Sequence, residues 1–369
     1  MTITKVTDAG LDRNRIVTPI IINGDMQVAQ RATSVTSHNA VSYTTVDRFK
    51  TVCEVGTYTV IQESLTSGNA YLNGFKKALR LDCTTAETSA GSAGEQTTIE
   101  QRIEGQNLNA FLKGTANAKP FTLAFWVKAS KTGSNLQVNL RDADNTRQVG
   151  GTYDIDAADT WEKKVINFPA DTTGAFDNDN ANSLTIEWFL DGGSNYSGGA
   201  VPTAWEASAN ADRNVTNFDL AGSTDNDWAL TGVQLEVGTF DANTIPSFPF
   251  ESFENNLSKC QRYYQKFGST AATSCNMVNG MAYSANSSEV FFPTILPVVM
   301  RTGPSVSQNG TVAYRTPGGT KNLTLSSSAV SEKEVFINFS GSSLTGGDPG
   351  YIRNPDGSSG NNIEMDAEL

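Results

Sequence analysis

The stretch that decides the fold is Phe121-Thr-Leu-Ala-Phe-Trp-Val127, together with Leu136-Gln-Val-Asn-Leu140, which follows it closely. In both stretches apolar residues occupy every second position, which is the pattern of a β-strand with one buried face. We therefore predict two neighbouring strands that share a core on one side. The opposite side carries four side chains able to stack or to hydrogen-bond: Trp126, Gln137, Asn139 and Arg141. That side is either a ligand platform or a surface that another chain covers.

The composition favours an all-β protein of more than one domain. The chain has 369 residues, of which 18% are charged and 32 are glycine, so many turns and little helix are expected. A formal net charge of -12 would repel nucleic acid and anionic membranes at long range. No apolar run reaches the roughly 18 residues of a membrane span, and the N-terminus has no signal-peptide pattern. We expect no nucleic-acid partner, no membrane insertion, and folding in a cytoplasm.

The cysteines and the single histidine indicate no zinc site and no catalytic triad. Cys53, Cys83, Cys260 and Cys275 have no C-x-x-C spacing, and we interpret them as small buried hydrophobic residues. His38 lies in a polar, turn-rich stretch with no nucleophile elbow elsewhere in the chain. We interpret it as a solvated loop histidine.

Further alternating runs extend this pattern along the chain. They are separated by turn clusters and lie at 58–61, 78–83, 97–103, 162–168, 184–190 and 228–237. Eight strands of this kind predict a β-sandwich, in our preferred version a jelly roll. In the last run the apolar parity changes at Thr231-Gly232, which predicts a β-bulge with the glycine in the unusual conformation.

The chain is predicted to have three parts. Residues 1–20 form a short N-terminal attachment arm, 21–250 the jelly roll, and 251–369 a second, smaller β-sandwich. All five tryptophans lie in the middle part. The final part is expected to open with a helical turn that runs into a strand before residue 266.

Several motifs resemble a family of tailed-bacteriophage virion structural and tail-fibre proteins. They are Asn23-Gly-Asp-Met-Gln-Val-Ala-Gln-Arg31, Gln101-Arg-Ile-Glu-Gly105, Phe125-Trp-Val-Lys-Ala-Ser-Lys-Thr-Gly133, Thr160-Trp-Glu-Lys-Lys164, Thr231-Gly-Val-Gln-Leu-Glu-Val-Gly238, Cys260-Gln-Arg-Tyr-Tyr-Gln-Lys266 and the closing Asp366-Ala-Glu-Leu369. The resemblance covers the chain from about residue 20 to its end. It implies a jelly roll similar to carbohydrate-binding modules, a second β-domain, and oligomers that are commonly trimeric. It carries over no catalytic residue.

A glycan-binding face is the more specific interpretation of the opening strand pair. Glu187 and Phe189 join this face if residues 184, 186, 188 and 190 point into the core. Tyr196 and Trp205 lie in a long Gly-rich loop, where Trp205 is either a receptor contact or a lid on the end of the sandwich. The alternative for the face is burial against a sister chain or plain exposure to solvent.

No cofactor is expected apart from a possible structural calcium ion. Asp177 and Asp179 begin like a calcium loop, but the sixth and twelfth positions are Asn182 and Trp188, which excludes an EF-hand. An irregular oxygen-ligand site at these residues, or at Asp25 and Glu236, stays open. With 39 acidic residues, a pair of carboxylates spaced as in a glycosidase is expected by chance alone.

These observations predict a non-enzymatic virion component assembled in the host cytoplasm. It would be a trimeric tail fibre or spike that adheres to host-surface glycan, with the arm attached to a tail or capsid protein. One alternative is a capsid-mounted head fibre or decoration protein. Another, of a different class, is a depolymerase that cuts the host polysaccharide.

Overall fold

The described structure is built almost entirely from strands. It is a computed structural model that describes residues 19–87, 92–268, 277, 281–358 and 360–369. The prediction of an all-β fold is confirmed. The chain divides into two compact units, Met1–Ser252 and Phe253–Leu369. Most of the predicted arm, 1–20, lies outside the described residues, as does Cys275.

The first unit is a sandwich of two sheets. Its strands are β1 Ser34–His38, β2 Val41–Tyr43, β3 Phe49–Cys53, β4 Thr57–Ser64, β5 Lys77–Thr85, β6 Gln96–Glu104, β7 Phe121–Ala129, β8 Gly133–Asp142, β9 Arg147–Ile155, β10 Glu162–Phe168, β11 Asn182–Gly192, β12 Glu206–Ala207 and β13 Asp227–Val237. Its helical segments are α1 Gly68–Leu72 and the 3-10 turns Gly105–Asn107, Asn109–Phe111, Ser194–Tyr196, Asn210–Asp212 and Leu220–Gly222.

The two sheets enclose one core. The six-stranded sheet has the order β1-β4-β5-β13-β7-β10, and the seven-stranded sheet has the order β12-β9-β8-β11-β6-β3-β2. Phe125 of β7 packs edge-on against Trp188 and Tyr153 of the opposite sheet, with ring centroids 5.7 and 5.2 Å away. Inward-facing apolar residues of both sheets thus interdigitate as expected for stacked sheets.

The prediction that β7 and β8 are neighbours is wrong. β7 lies between β13 and β10, whereas β8 lies between β11 and β9 in the other sheet. Both strands bury an apolar face in the same core, but they reach it from opposite sides. β9 was not predicted, because Gly150-Gly151 within it resembles a turn. Gly151 is needed in the strand, since a Cβ there would lie 2.5 Å from Ile166 Cγ2 of the other sheet.

The predicted bulge in β13 is confirmed. The pairing of β13 with β7 shifts between Thr231 and Gln234, and Gly232 has φ +63°. A Cβ at Gly232 would lie 2.7 Å from Phe75 and 2.8 Å from Trp126. Glycine therefore satisfies both the left-handed backbone conformation and the close packing.

His38 is buried and is not a solvated loop residue as predicted. It ends β1, is 7% exposed, and its Nε2 lies 3.0 Å from Thr51 Oγ1. Burial lowers the pKa of this imidazole, because the charged form loses water. The interpretation of the cysteines as small buried residues is confirmed for Cys53, Cys83 and Cys260, which are all buried.

The second unit combines a closed barrel with a small sheet. Its elements are α2 Phe253–Gln261, β14 Tyr264–Gly268, β15 Ala282–Ser284, β16 Glu289–Ile295, β17 Ser305–Asn309, β18 Val312–Thr316, β19 Gly319–Val330, β20 Glu334–Gly341, β21 Pro349–Arg353 and β22 Asn362–Asp366. The barrel has the order β15-β16-β20-β19-β18-β21, and β14-β22-β17 form the sheet. The predicted helical turn followed by a strand corresponds to α2 and β14.

One apolar core serves the barrel and the small sheet. Val290 and Phe292 of the barrel belong to the same buried cluster as Ile363 and Met365 of β22. In neither unit does the described part contain a helix with the length and apolarity that crossing a bilayer requires.

Candidate functional site

The outward side of the seven-stranded sheet, called here the seven-stranded face, carries five of the residues predicted to contact glycan. They are Gln137, Asn139 and Arg141 on β8 with Glu187 and Phe189 on β11. Register places Asn139 opposite Glu187 and Gln137 opposite Phe189. The polar row continues across β6 and β3, where Glu187 faces Glu100 and Glu100 faces Lys50.

A segment of the same chain, residues 193–217, covers the β8 and β11 part of this face; we call it the covering segment. Gln137 Nε2 donates to the Asp212 carbonyl at 2.6 Å, and its Oε1 accepts from the Val215 N–H at 3.1 Å. Asn139 Nδ2 donates to the Arg213 carbonyl at 2.9 Å. Gln137 and Asn139 are at most 1% exposed. The planar amides that would receive sugar hydroxyls bind the chain's own backbone instead.

A buried ion pair holds the covering segment at its centre. The Glu187 carboxylate is 0% exposed and accepts from Arg213 Nε at 3.1 Å, from Arg213 Nη2, and from Asn139 Nδ2 at 3.1 Å. Arg141 Nη1 lies 3.2 Å away on the solvent side. Burial raises the pKa of Glu187, but the two arginines and the hydrogen bonds outweigh it and hold this pKa below its ordinary value. Glu187 is therefore an anion that anchors Arg213.

The aromatic residues of the predicted site are packed inside. Trp205 Nε1 donates to the Pro169 carbonyl at 2.9 Å, and its ring lies 5.8 Å from that of Phe121 in the core. Tyr196 Oη donates to the Gly94 carbonyl at 2.9 Å. Trp205 thus closes the end of the sandwich, as the second of its two interpretations stated.

Six of the eight predicted contacts are consequently closed to an external ligand, and their assignment as glycan contacts is wrong. All are at most 9% exposed: Gln137, Asn139, Glu187, Phe189, Tyr196 and Trp205. Arg141, whose side chain is 34% exposed, stays accessible at the border of the covering segment. It faces Thr185, and Thr185 faces Arg102 on the next strand.

Trp126 lies on the outward side of the other sheet, called here the six-stranded face. It is half-buried and packs against a small apolar cluster whose members are Leu65, Ala70, Phe75, Ala78, Trp161 and Ala229. It therefore cannot form one platform with Gln137 and Asn139. The wrong pairing of β7 with β8 is the cause of this error.

The six-stranded face contains a solvent-accessible pocket of about 320 Å³ beside this cluster. We call it the Trp161 pocket; its polar lining includes Glu63, Asn69, Lys128 and Asp159. The chain leaves β4 at Ser64 and turns into α1 at Gly68, which has φ +89°. A Cβ at Gly68 would lie 3.2 Å from Trp161 Cδ1, so glycine leaves space for the indole.

The Trp161 pocket is lined by side chains of both charges. Glu63 Oε2 is buried and accepts no hydrogen bond from any residue that the structure describes, and it lies 3.9 Å from Lys128 Nζ. Lys128 Nζ is 5.6 Å from the centroid of the Trp161 ring. Asn69 Nδ2 donates to the Trp161 carbonyl at 3.3 Å, and its side chain is at the exposed rim.

Sequence reasoning missed this pocket. Thr160-Trp161-Glu-Lys-Lys164 contributed only to the family resemblance, and nothing in the local sequence of Glu63 indicates that it approaches residue 128. The period-two pattern does place Lys128 on the outward side of β7 together with Trp126. That shared side was the one available signal.

The candidate calcium ligands do not form a metal centre among the described residues. Asp177 and Asp179 are exposed, and Asp179 Oδ1 accepts from the Ala181 N–H at 2.9 Å as in a turn. Asp25 is buried, and Glu236 Oε1 accepts from Gln234 Nε2 at 3.3 Å. Within the described ranges, no three His, Cys, Asp or Glu side chains are grouped so that they could hold a metal ion.

Comparisons with known proteins find similarity among solved structures alone; no protein-family model and no curated protein matches the chain. The enzymatically active domain of bacteriophage CBA120 tailspike protein 4 is 12% identical with a TM-score of 0.29, covering 59% of this chain and 21% of that one. The CBM22-1–GH10 modules of Clostridium thermocellum xylanase 10B, complexed with xylohexaose, are 11% identical with a TM-score of 0.28, covering 57% and 30%. The CBM22-1–CBM22-2 tandem of Paenibacillus barcinonensis Xyn10C is 9% identical with a TM-score of 0.28, covering 95% and 98%.

Proposed function

We propose that this chain is a non-enzymatic virion component that adheres to host-surface glycan, as a trimeric phage tail fibre or spike. The observation that carries the glycan-binding part is the Trp161 pocket. It brings the partly exposed side chains of Glu63 and Lys128 and the amide of Asn69 around a volume of about 320 Å³. The phage assignment is supported by the motifs quoted from the sequence.

The chemistry of the Trp161 pocket suits a sugar. Vicinal hydroxyls can donate to the exposed part of the Glu63 carboxylate, whose side chain is 28% exposed, and accept from Lys128 Nζ. Trp161 lines the pocket but is only 5% exposed, so polar groups rather than stacking on the ring would hold a sugar. A small number of convergent polar groups beside an aromatic side chain is typical of small-ligand sites.

Binding of the full-length protein to an array of bacterial-surface oligosaccharides tests this proposal. Glu63→Gln keeps the shape of the side chain but loses the charged acceptor, so we expect at least about a tenfold loss of affinity. Asn69→Ala should weaken binding less, because Asn69 lies at the rim. The matched control is Thr152→Ala, an exposed position on the seven-stranded face. Unchanged binding by Glu63→Gln would refute the assignment of this pocket.

The second unit supports self-association. Its barrel has an apolar groove of about 760 Å³ whose lining includes Pro293, Ile295, Val330 and Phe336. Ile295 is 80% exposed and Phe336 is 39% exposed, and exposed apolar patches of this kind often mark protein interfaces. A trimer would present three weak sugar sites together and so raise avidity without new contacts.

Light scattering on the full-length protein, and on protein lacking residues 1–20, tests the assembly. We expect a trimer in both cases. Ile295→Glu should dissociate it, whereas Leu72→Glu, at a position of the first unit that is equally exposed at 79%, should not. A monomeric wild-type protein would contradict the fibre proposal and favour a decoration protein.

Adhesion is proposed over hydrolysis because the facing carboxylates on the seven-stranded face are paired with arginines. Glu100 and Glu187 face each other on adjacent strands, but Arg102 Nη2 donates to Glu100 at 3.0 Å and Arg213 holds Glu187. A general acid needs a raised pKa, whereas the pKa of Glu187 is lowered. Addition of purified protein should leave the viscosity of host polysaccharide unchanged, and a fall in viscosity would establish the depolymerase alternative.

A further inference from the structure

A lysine is buried among carboxylates at one end of the sandwich. The side chains of Lys113 and Asp142 are both 0% exposed, and that of Asp171 is 5% exposed. Lys113 Nζ lies 2.5 Å from Asp142 Oδ2 and 3.1 Å from Asp171 Oδ2. It also approaches the carbonyl oxygens of Thr173 and Gly174, at 3.2 and 2.6 Å. An ammonium has three hydrogens, so four close oxygens exceed what it can serve.

Aromatic rings close this cluster off from water. The centroids of Phe176 and Trp205 lie 5.0 and 4.9 Å from Lys113 Nζ. Separated charges in such a site forgo hydration, which is costly even when they are paired. A neutral product made from the ammonium and one carboxylate would remove that cost.

Asp142 is positioned to act as the electrophile. The Asn145 backbone N–H donates to Asp142 Oδ1 at 3.0 Å, and Asn145 Nδ2 lies 3.2 and 3.0 Å from its two oxygens. Donors fixed on a carboxylate stabilise the charge that develops on its oxygen when the carbon is attacked. Glycine at position 174 leaves room for the Asn145 side chain, because a Cβ there would lie 2.6 Å from Asn145 Cγ.

Asp171 completes the arrangement as a proton relay. Its Oδ2 contacts Lys113 Nζ, while Arg147 Nε donates to the same oxygen at 2.8 Å. The Thr173 N–H donates to its other oxygen at 3.0 Å. Burial raises the pKa of Asp171, but Arg147, the Thr173 N–H and Lys113 outweigh it and hold this pKa below its ordinary value. Asp171 is thus an anion fixed beside the ammonium, able to take a proton from it and to release that proton readily.

We propose that Lys113 and Asp142 condense to an intramolecular isopeptide bond. Asp171 takes a proton from the ammonium, the freed Nζ attacks Asp142 Cγ, and a C–O bond breaks as the relayed protons leave with that oxygen. The balance is R–NH₃⁺ plus R′–COO⁻ giving R–NH–CO–R′ plus H₂O, with no oxidant, reductant or cofactor. Fixed proximity of the two groups replaces the activation that the reaction needs in water.

The bond would tie the segment before β7 to the end of β8. Since β7 and β8 belong to different sheets, the bond would link the two sheets covalently. An amide, unlike a disulfide, does not depend on redox conditions. This inference is independent of the glycan-binding proposal.

Intact-protein mass spectrometry of the denatured full-length chain tests the inference. We expect the wild-type protein to be lighter than its sequence by one water, about 18 Da, and Lys113→Arg to have the full sequence mass. Tryptic mapping should give a branched peptide joining residues 113 and 142, with no cleavage after Lys113. A wild-type protein of full sequence mass overturns the inference.

Lys113→Arg and one further variant separate this bond from other losses of water. A succinimide at Asp356-Gly357 would also remove one water, but it would persist in Lys113→Arg; an equal deficit in that variant therefore overturns the inference. Asp171→Asn should stay at full mass if Asp171 relays the protons. If the Asp171→Asn protein formed the bond completely, so that all of it lacked one water, the role given to Asp171 would be overturned.

Discussion

The two outward faces of the sandwich use similar side chains for different purposes. On the seven-stranded face, the chain's own covering segment binds Gln137, Asn139 and Glu187 through hydrogen bonds. On the six-stranded face, Glu63 and Lys128 line an accessible pocket in which one carboxylate oxygen has no hydrogen-bond donor from the described residues. Polar side chains on an outward strand face therefore need not indicate an external ligand, because the chain itself can satisfy them.

The largest effect is expected at the ion pair that holds the covering segment. Glu187→Ala leaves Arg213 buried without its main partner, which should lower the free energy of unfolding by about 3–5 kcal/mol. Urea unfolding followed by tryptophan fluorescence measures it, because all five tryptophans lie between residues 126 and 228. Glu206→Gln, an exposed carboxylate on the covering segment, is the control and should change little. An equal, small change in both variants would contradict the anchoring role.

The contribution of Glu187 should depend on pH in one direction. Its folded-state pKa lies below the ordinary value of 4.5, so its ionised form stabilises the fold above that pH. The contribution declines as pH falls below 4.5 towards the folded-state pKa. The stability difference between wild type and Glu187→Gln should therefore be constant near neutral pH and narrow in acid. A difference that grows in acid would contradict this assignment.

The amides that bind the covering segment should have a smaller effect. Gln137→Ala leaves the Val215 N–H and the Asp212 carbonyl without their partner, and we expect a loss of about 1–3 kcal/mol. The covering segment should also become easier to cleave in limited proteolysis. Thr152→Ala is the matched control, because Thr152 faces Gln137 on the neighbouring strand and is exposed. Unchanged proteolysis of Gln137→Ala would show that these hydrogen bonds do not hold the segment.

The smallest effect on stability is expected in the Trp161 pocket. Glu63→Gln should change the free energy of unfolding by no more than about 0.5 kcal/mol, because the carboxylate has only a partly exposed cation at 3.9 Å. The same urea titration measures it. A large loss would mean that Glu63 serves the fold, as Glu187 does on the other face.

The sequence was sufficient for most of the fold because alternation reports which side of a strand is buried. The bulge at Gly232 and the inward residues of β7, β8 and β11 were all predicted. Alternation does not report which strands pair, so β7 and β8 were placed side by side although they lie in opposite sheets. Gly151 concealed β9, because close approach between sheets and a turn both favour glycine.

The candidate site was harder to predict for the same physical reason. The outward side of β8 and β11 was correct, but no pattern showed that residues 193–217 would return to cover it. Arg213 carries the anchoring charge and is separated from Glu187 by 26 residues. Glu63 and Trp161 meet only through the order of the six-stranded sheet, which alternation alone cannot supply.

The most direct test of this account is a calorimetric titration of the full-length protein with an oligosaccharide that binds it on the array. Wild type, Glu63→Gln and Arg141→Ala are compared, because Arg141 is the accessible polar residue at the edge of the covered face. We predict at least about a tenfold loss for Glu63→Gln and unchanged affinity for Arg141→Ala. Loss of binding in Arg141→Ala with full binding in Glu63→Gln would contradict the account and place the glycan on the seven-stranded face.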